Sequence, residues 1–318
     1  MLIRHKINDF ELINGSKFEP SDVTYQIFGQ DIKTAPVVLI IHALTGNSDV
    51  ISPEKGWWKT LVGQGKTIDT DKYSVIAFNI PGNGYDGNLI EECENYTAKD
   101  IARLFIKVLE EIEVKKLYAA VGGSLGGGIA WEMAALLPDY IDYLIPVAAD
   151  WKSTDWIIGH NYIQKQILNN SKLALQDARM MAMLFYRTPE SFTEKFQRTK
   201  TSDNKMFNVE SWLKHHGVKL EGRFDIRAYK MMNHLLTTID ITRETGSFEL
   251  SVKDIKSTII QIYIDSDLFF SPQETMKTKL ILDKLNKKNY ICTVNSKHGH
   301  DGFLIEFDQI SNGLKDFF

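Results

Sequence analysis

The strand-length apolar run Leu117-Tyr-Ala-Ala-Val121 leads directly into Gly122-Gly-Ser-Leu-Gly-Gly-Gly128, and a helical pattern follows from Ile129 to Leu137. Glycines crowd around a single serine where a strand reverses sharply into a helix, because side chains at the flanking positions would obstruct the close approach of the two elements. In this strand, turn and helix setting, G-x-S-x-G presents its serine as a nucleophile at the helix N-terminus, and the serine here is Ser124. A phosphate-binding loop is the competing reading. It would require a Lys-Ser/Thr pair after the glycines, or G-x-G-x-x-G at the first strand, and the chain has neither.

The rest of the chain supplies a frame for that turn. Further apolar runs occur at Val37 to Ile41, Tyr73 to Phe78, Ile141 to Val147, Ile259 to Ile264 and Tyr290 to Val294. Their Val/Ile/Leu/Tyr content suits strands covered on both faces, as in a parallel sheet. Between two of them, Thr97-Ala-Lys-Asp100 reads as a capping signature opening an amphipathic helix that runs to Val114. This alternation predicts an α/β fold, a mostly parallel sheet flanked by helices. From about 151 to 250 the chain offers helical patterns, such as Asp177 to Tyr186 and Arg223 to Ile239, and no convincing strand. We therefore expect a core built from residues 1–150 and 251–318, with residues 151–250 inserted as a helical lid.

A serine hydroxyl needs a base to take its proton, and the base needs a carboxylate to orient it. The expected chain order is Ser, then Asp or Glu, then His, each after a strand. Asp265-Ser-Asp267 follows the run ending at Ile264, and His298-Gly-His300 follows the run ending at Val294. Asp267 and His300 are the expected partners of Ser124, with Asp265 and His298 as competitors. Acyl chemistry also needs donors aimed at the developing oxyanion. These are expected from the backbone N–H of Leu125, just after the nucleophile, and of Leu44, in His42-Ala-Leu-Thr-Gly46 after the first long strand. His42 reads as a loop-holding residue, and no role is expected of His5, His160, His215, His216 or His234.

Composition narrows the partners. With 37 Lys+Arg against 41 Asp+Glu, the net charge of −4 offers no broad attraction to nucleic acid or an anionic membrane. The two cysteines, Cys93 and Cys292, have no metal-binding or redox spacing, so no metal site and no disulfide are expected. The first ten residues mix charge into their apolar positions, and no stretch approaches the roughly 18 apolar residues of a membrane span. The cytoplasm is the expected location.

Taken together, the motifs resemble those of the homoserine O-acetyltransferase family, acyltransferases of the α/β-hydrolase fold that feed methionine synthesis. The resemblance spans nearly the whole chain. It rests on His42-Ala-Leu-Thr-Gly46, Gly56-Trp-Trp58 with Gly63-Gln-Gly65 and Asp69-Thr-Asp71, Gly122-Gly-Ser-Leu-Gly-Gly127, Asp177-Ala-Arg-Met180 with Tyr186-Arg187, and Gly299-His-Asp-Gly-Phe-Leu304. Val209-Glu-Ser-Trp212 and Arg223-Phe-Asp225 resemble the family's lid. The resemblance implies that acetyl-CoA is the co-substrate, with no bound cofactor, and that L-homoserine is the acceptor. It assigns Arg179 to the substrate carboxylate and Asp301 to the substrate ammonium, and implies a homodimer formed through the lid. A guanidinium grips a carboxylate through paired hydrogen bonds, and an aspartate neutralises an amine. Tyr186 resembles a tyrosine lining the family's acyl tunnel, with a core role as the alternative. Succinyl-CoA as donor, L-serine as acceptor, and an esterase or thioesterase using the same triad stay open. A non-enzymatic binding protein is the weakest reading, since all three triad residue types are present.

Overall fold

The computed structural model describes residues 1–19 and 22–318. Its main sheet has eight strands: β1 (Ile3–Lys6), β2 (Asp22–Gly29), β3 (Val37–Ile41), β4 (Ser74–Phe78), β5 (Leu117–Gly123), β6 (Ile141–Val147), β7 (Thr258–Ile264) and β8 (Asn289–Val294). They lie in the order β1-β2-β4-β3-β5-β6-β7-β8. The six strands from β3 onward are mutually parallel, while β2 runs antiparallel to both β4 and β1. Six of the eight are the apolar runs of the sequence. The N-terminal pair escapes that criterion because it lies at the sheet edge: β1 alternates half-buried with exposed residues, and β2 is fully buried only over Val23–Tyr25.

Every residue of β3 and β4 is buried. Because successive side chains of a strand point to opposite faces, Leu39 and Ile41 join Phe78, Phe105 and Trp131 in one core, while Val38 and Ile40 join Val75, Ala77 and Trp58 in the other. Helices cover the sheet: α1 (Ala98–Glu111), α2 (Leu125–Leu136), α9 (Pro272–Lys284) and α10 (Phe307–Leu314). Thr97 caps α1 in a reciprocal box with Asp100, as its spacing predicts. Between β6 and β7 lie α3 (Asp155–Asn170), α4 (Ala174–Tyr186), α5 (Pro189–Phe196), α6 (Asn208–Glu221), α7 (Ile226–Thr237) and α8 (Phe248–Val252). Among the described residues, this interval adds no strand to the main sheet.

Helix α2 begins four residues before the apolar periodicity suggests. Gly126, Gly127 and Gly128 read as turn residues but are helical. A Cβ on Gly126 would lie 2.2 Å from the carbonyl oxygen of Ile41, and one on Gly128 would lie 2.2 Å from the Ile239 side chain. Glycine is required here for close approach, which local propensity does not reveal.

Two carboxyls are buried beneath these helices. Burial pushes Glu132 up to about 7 and Asp150 up to about 7, from ordinary values of 4.5 and 3.8. Both carboxyls therefore hold protons in the folded state at pH values where the unfolded chain has lost them, so their contribution to stability falls as pH rises from about 4 to about 7. The Asp240 amide donates to Oε1 of Glu132 at 3.0 Å, a bond that a glutamine oxygen can also accept. The double variant Glu132→Gln/Asp150→Asn is expected to gain stability relative to the parent between pH 5 and pH 8, measured by urea unfolding at both. A difference that does not change with pH would contradict the assignment.

Candidate active site

The predicted triad and oxyanion residues follow C-terminal ends of parallel strands, where α/β sheets place their ligands, while Arg179 and Tyr186 come from α4. Ser124 follows β5, Asp267 follows β7, and His300 lies in a short 3₁₀ turn, Gly299–Leu304, beyond β8. Leu44 follows β3.

The turn at Ser124 is strained, with φ 53° and ψ −120°. Its amide donates to the Val147 carbonyl at 2.9 Å, and its carbonyl accepts from the Gly127 amide at 2.9 Å. Backbone on both sides thus holds the angle in place. On the flanks, a Cβ at Gly122 would meet the Gly126 carbonyl oxygen at 2.2 Å, and one at Gly123 would meet the Phe303 ring at 2.9 Å.

The structure brings Ser124, His300 and Asp267 into one chain of hydrogen bonds. His300 Nδ1 is 2.8 Å from Asp267 Oδ2, and His300 Nε2 is 3.0 Å from Ser124 Oγ. With Nδ1–H donating to the carboxylate, Nε2 is free to accept the serine proton. Asp267 is fixed in turn, its Oδ1 accepting the amides of Phe269 at 2.7 Å and Phe270 at 2.9 Å. The rings of Phe269, Phe270, Phe303 and Tyr186 surround the imidazole at centroid separations of 5.2 to 5.5 Å. Ser124, Asp267 and His300 are each only 3% exposed, so they interact in a largely water-free environment.

The competitors lie elsewhere. Asp265 is exposed, and its Oδ1 accepts the Ser296 amide at 2.9 Å, which shapes the loop after β8. His298 turns away from the serine and takes a hydrogen bond from Arg187 at 2.7 Å. His42 is wholly buried. Its Nε2 accepts the Ile80 amide at 2.9 Å, which leaves the proton on Nδ1 to donate to the Ala43 carbonyl at 2.7 Å. Burial lowers its pKa to about 4. A neutral, doubly engaged imidazole of this kind braces the loop carrying Leu44. The amides of Leu44 and Leu125 donate to no protein acceptor among the described residues, so both are available to a ligand oxygen.

A narrow cavity of about 60 Å³ opens on Ser124 and His300, lined also by Leu44, Arg179, Tyr186 and Asp301. The Arg179 guanidinium, from α4, lies 5.6 Å over the Tyr186 ring and has no carboxylate within salt-bridge distance among the described residues. Burial raises the Asp301 carboxyl above its ordinary range, against the opposing pull of Arg179, His300 and Arg187. Burial likewise raises the Tyr186 phenol, so the hydroxyl stays protonated. The Arg179 guanidinium and the Asp301 carboxyl thus share one small cavity with the serine. Sequence reasoning quoted Arg187 within a motif but gave it no role, and it did not anticipate the aromatic enclosure by Phe269, Phe270 and Phe303. Both depend on long-range contacts, for which no local pattern gives a signal.

Comparison with known proteins adds to this geometry. The sequence profile of the alpha/beta hydrolase fold family matches residues 36–277. A homoserine O-acetyltransferase from Chloroherpeton thalassium is 32% identical over 322 residues, covering 93% of this chain and 83% of that protein. Among solved structures, homoserine O-acetyltransferase from Bacillus anthracis superposes with a TM-score of 0.89 at 17% identity, covering 100% of this chain and 97% of that one. Esterase E22 does so with a TM-score of 0.88 at 19% identity over the full length of both chains. At these identities the superpositions establish a common fold and leave the chemistry to the site itself.

Proposed function

The chain belongs to the homoserine O-acetyltransferase family of the α/β-hydrolase fold, and from that premise we propose that it transfers an acetyl group from acetyl-CoA to the hydroxyl of L-homoserine through an acetyl-Ser124 intermediate. His300, oriented by Asp267, removes the Ser124 proton as Oγ attacks the thioester carbon. The carbonyl oxygen becomes an oxyanion that accepts hydrogen bonds from the amides of Leu44 and Leu125. As the intermediate collapses, the C–S bond breaks and the thiol leaves with the proton from His300. L-homoserine then enters with its carboxylate on Arg179 and its ammonium on Asp301. His300 takes its hydroxyl proton, the alkoxide oxygen attacks the acetyl carbon, and Ser124 recovers its proton as O-acetylhomoserine forms.

The observation that carries this reading is the meeting of the Ser124–His300–Asp267 chain with Arg179 and Asp301 around one cavity. A general esterase needs only the first three. An amino-acid acceptor gives the free guanidinium and the part-buried carboxylate each a partner of opposite charge. Incubation of the purified protein with acetyl-CoA and L-homoserine is expected to yield O-acetylhomoserine and free CoA. CoA release at one rate with or without homoserine, and no acetylated amino acid, would replace the reading with hydrolysis. Succinyl-CoA and L-serine in crossed assays fix the donor and acceptor.

Arg179→Ala provides a second test. It is expected to raise the KM for L-homoserine on the order of 100-fold while changing hydrolysis of p-nitrophenyl acetate less than about threefold, because the ester makes no use of a carboxylate partner. Equal loss in both assays would show that Arg179 supports the fold and does not bind the acceptor.

A further inference from the structure

Residues 186–191, where α4 ends and α5 begins, lie against residues 297–301, the segment that carries His300 and Asp301. Thr188 Oγ1 donates to the Lys297 carbonyl at 2.6 Å. Gly299, at φ +64°, passes so close that a Cβ there would lie 3.0 Å from the Tyr186 carbonyl oxygen. The Arg187 guanidinium sits between the two segments, 13% exposed. Its Nη2 donates to His298 Nδ1 at 2.7 Å and to Ser191 Oγ at 2.7 Å, and its Nη1 lies 3.7 Å from Asp301 Oδ2. Arginine only donates, so His298 Nδ1 must be the acceptor and that ring is neutral with its proton on Nε2. The Nε of Arg187 is buried without a partner among the described residues.

We propose that Arg187 is a positioning residue for the acceptor: anchored by His298, it commits one oxygen of Asp301 to the protein, leaves the other for the substrate ammonium, and so sets the preference for acceptors that carry an amine. This inference rests on the reading of Asp301 given above. A cross-link serving only to join two segments would have no need of a guanidinium turned toward the one carboxylate of the cavity, and would not leave a buried donor unfilled. The His298 anchor matters because a flexible side chain fixes a carboxylate only when it is itself held at a second point.

The test compares L-homoserine with 4-hydroxybutanoate, which keeps the hydroxyl and the carboxylate and lacks the amine. Arg187→Gln is expected to lower the ratio of kcat/KM for the two acceptors at least about tenfold, while acylation by p-nitrophenyl acetate changes less than about threefold. His298→Leu, which removes the anchor but leaves Arg187, should lower the ratio in the same direction. His298→Asn, whose amide oxygen can stand where Nδ1 stood, should preserve it. Asp301→Asn separates the two levels of the argument. If it collapses the ratio while Arg187→Gln and His298→Leu leave it intact, the positioning role is overturned and the reading of Asp301 survives. If Asp301→Asn also leaves the ratio intact, the reading of Asp301 fails as well. Parallel loss of acylation and of both acceptor rates in Arg187→Gln and His298→Leu, with a lower Tm, would reduce Arg187 to a structural staple.

Discussion

Ser124→Ala is expected to abolish acetyl transfer, lowering CoA release in the presence of homoserine by about 10⁵-fold or more. The magnitude follows from how the site divides its work. Without Oγ there is no nucleophile for His300 to activate at 3.0 Å, and no acetyl-enzyme can form. The proposed oxyanion donors and acceptor groups remain, and alone they would supply only the small residual acceleration that binding and orientation give. The fold should be spared, since the strained turn is held by backbone bonds from the Ser124 amide and to its carbonyl, which alanine retains. Thiol titration measures the rate, and intact-protein mass after brief exposure to acetyl-CoA should show an added acetyl group on the parent and none on the variant. A variant that still acquires the acetyl group would place the nucleophile elsewhere.

Gly126→Ala is expected to have the largest effect on stability, about 3 kcal/mol or a fall in Tm of about 5 °C. The new Cβ would lie 2.2 Å from the Ile41 carbonyl oxygen and 2.8 Å from that of His42. Both obstacles are backbone, so no rotamer change relieves the clash, and the start of α2 must move away from the end of β3. That movement separates Leu125 from Leu44, the two halves of the proposed oxyanion site. Even at temperatures where the variant is folded, acylation should therefore be slower by about 10²-fold, the usual consequence of displacing one such donor. Gly159→Ala is the control: it lies within α3 with no heavy atom within 4 Å of its would-be Cβ, so Tm should hold or rise slightly. Equal effects of the two substitutions would show that helix propensity, and not the backbone clash, governs Gly126.

The parts of the molecule legible in the sequence are those where a local pattern has one physical solution. Glycines around Ser124 mark a tight strand-to-helix turn, and the six apolar runs are all strands, five of them largely buried and the sixth, β8, at the open edge of the sheet. Chain order after the strands narrows the partners to Asp267 or Asp265 and His300 or His298, and the structure joins Asp267 and His300 to Ser124 while the alternates are occupied in shaping the loop and in holding Arg187. What stayed hidden depends on tertiary contacts. The strands β1 and β2, at one end of the sheet, carry mixed burial and so no strong period. The helical state of Gly126 to Gly128 runs against their intrinsic preference, and only the proximity of Ile41 and Ile239 explains it. Arg187 is unreadable for the same reason, since its partner His298 is 111 residues away.

The cavity over Ser124 is small, at about 60 Å³, and under the proposed two-step transfer the two substrates would use it in turn. On that reading the thiol would depart before the alcohol arrives. Between the two visits an acetylated Ser124 would wait, its lifetime a race between the next amino acid and stray water. Such an enzyme would waste least of its donor when the acceptor is abundant, and its fidelity would be governed by the concentration of its second substrate as much as by any contact within the site.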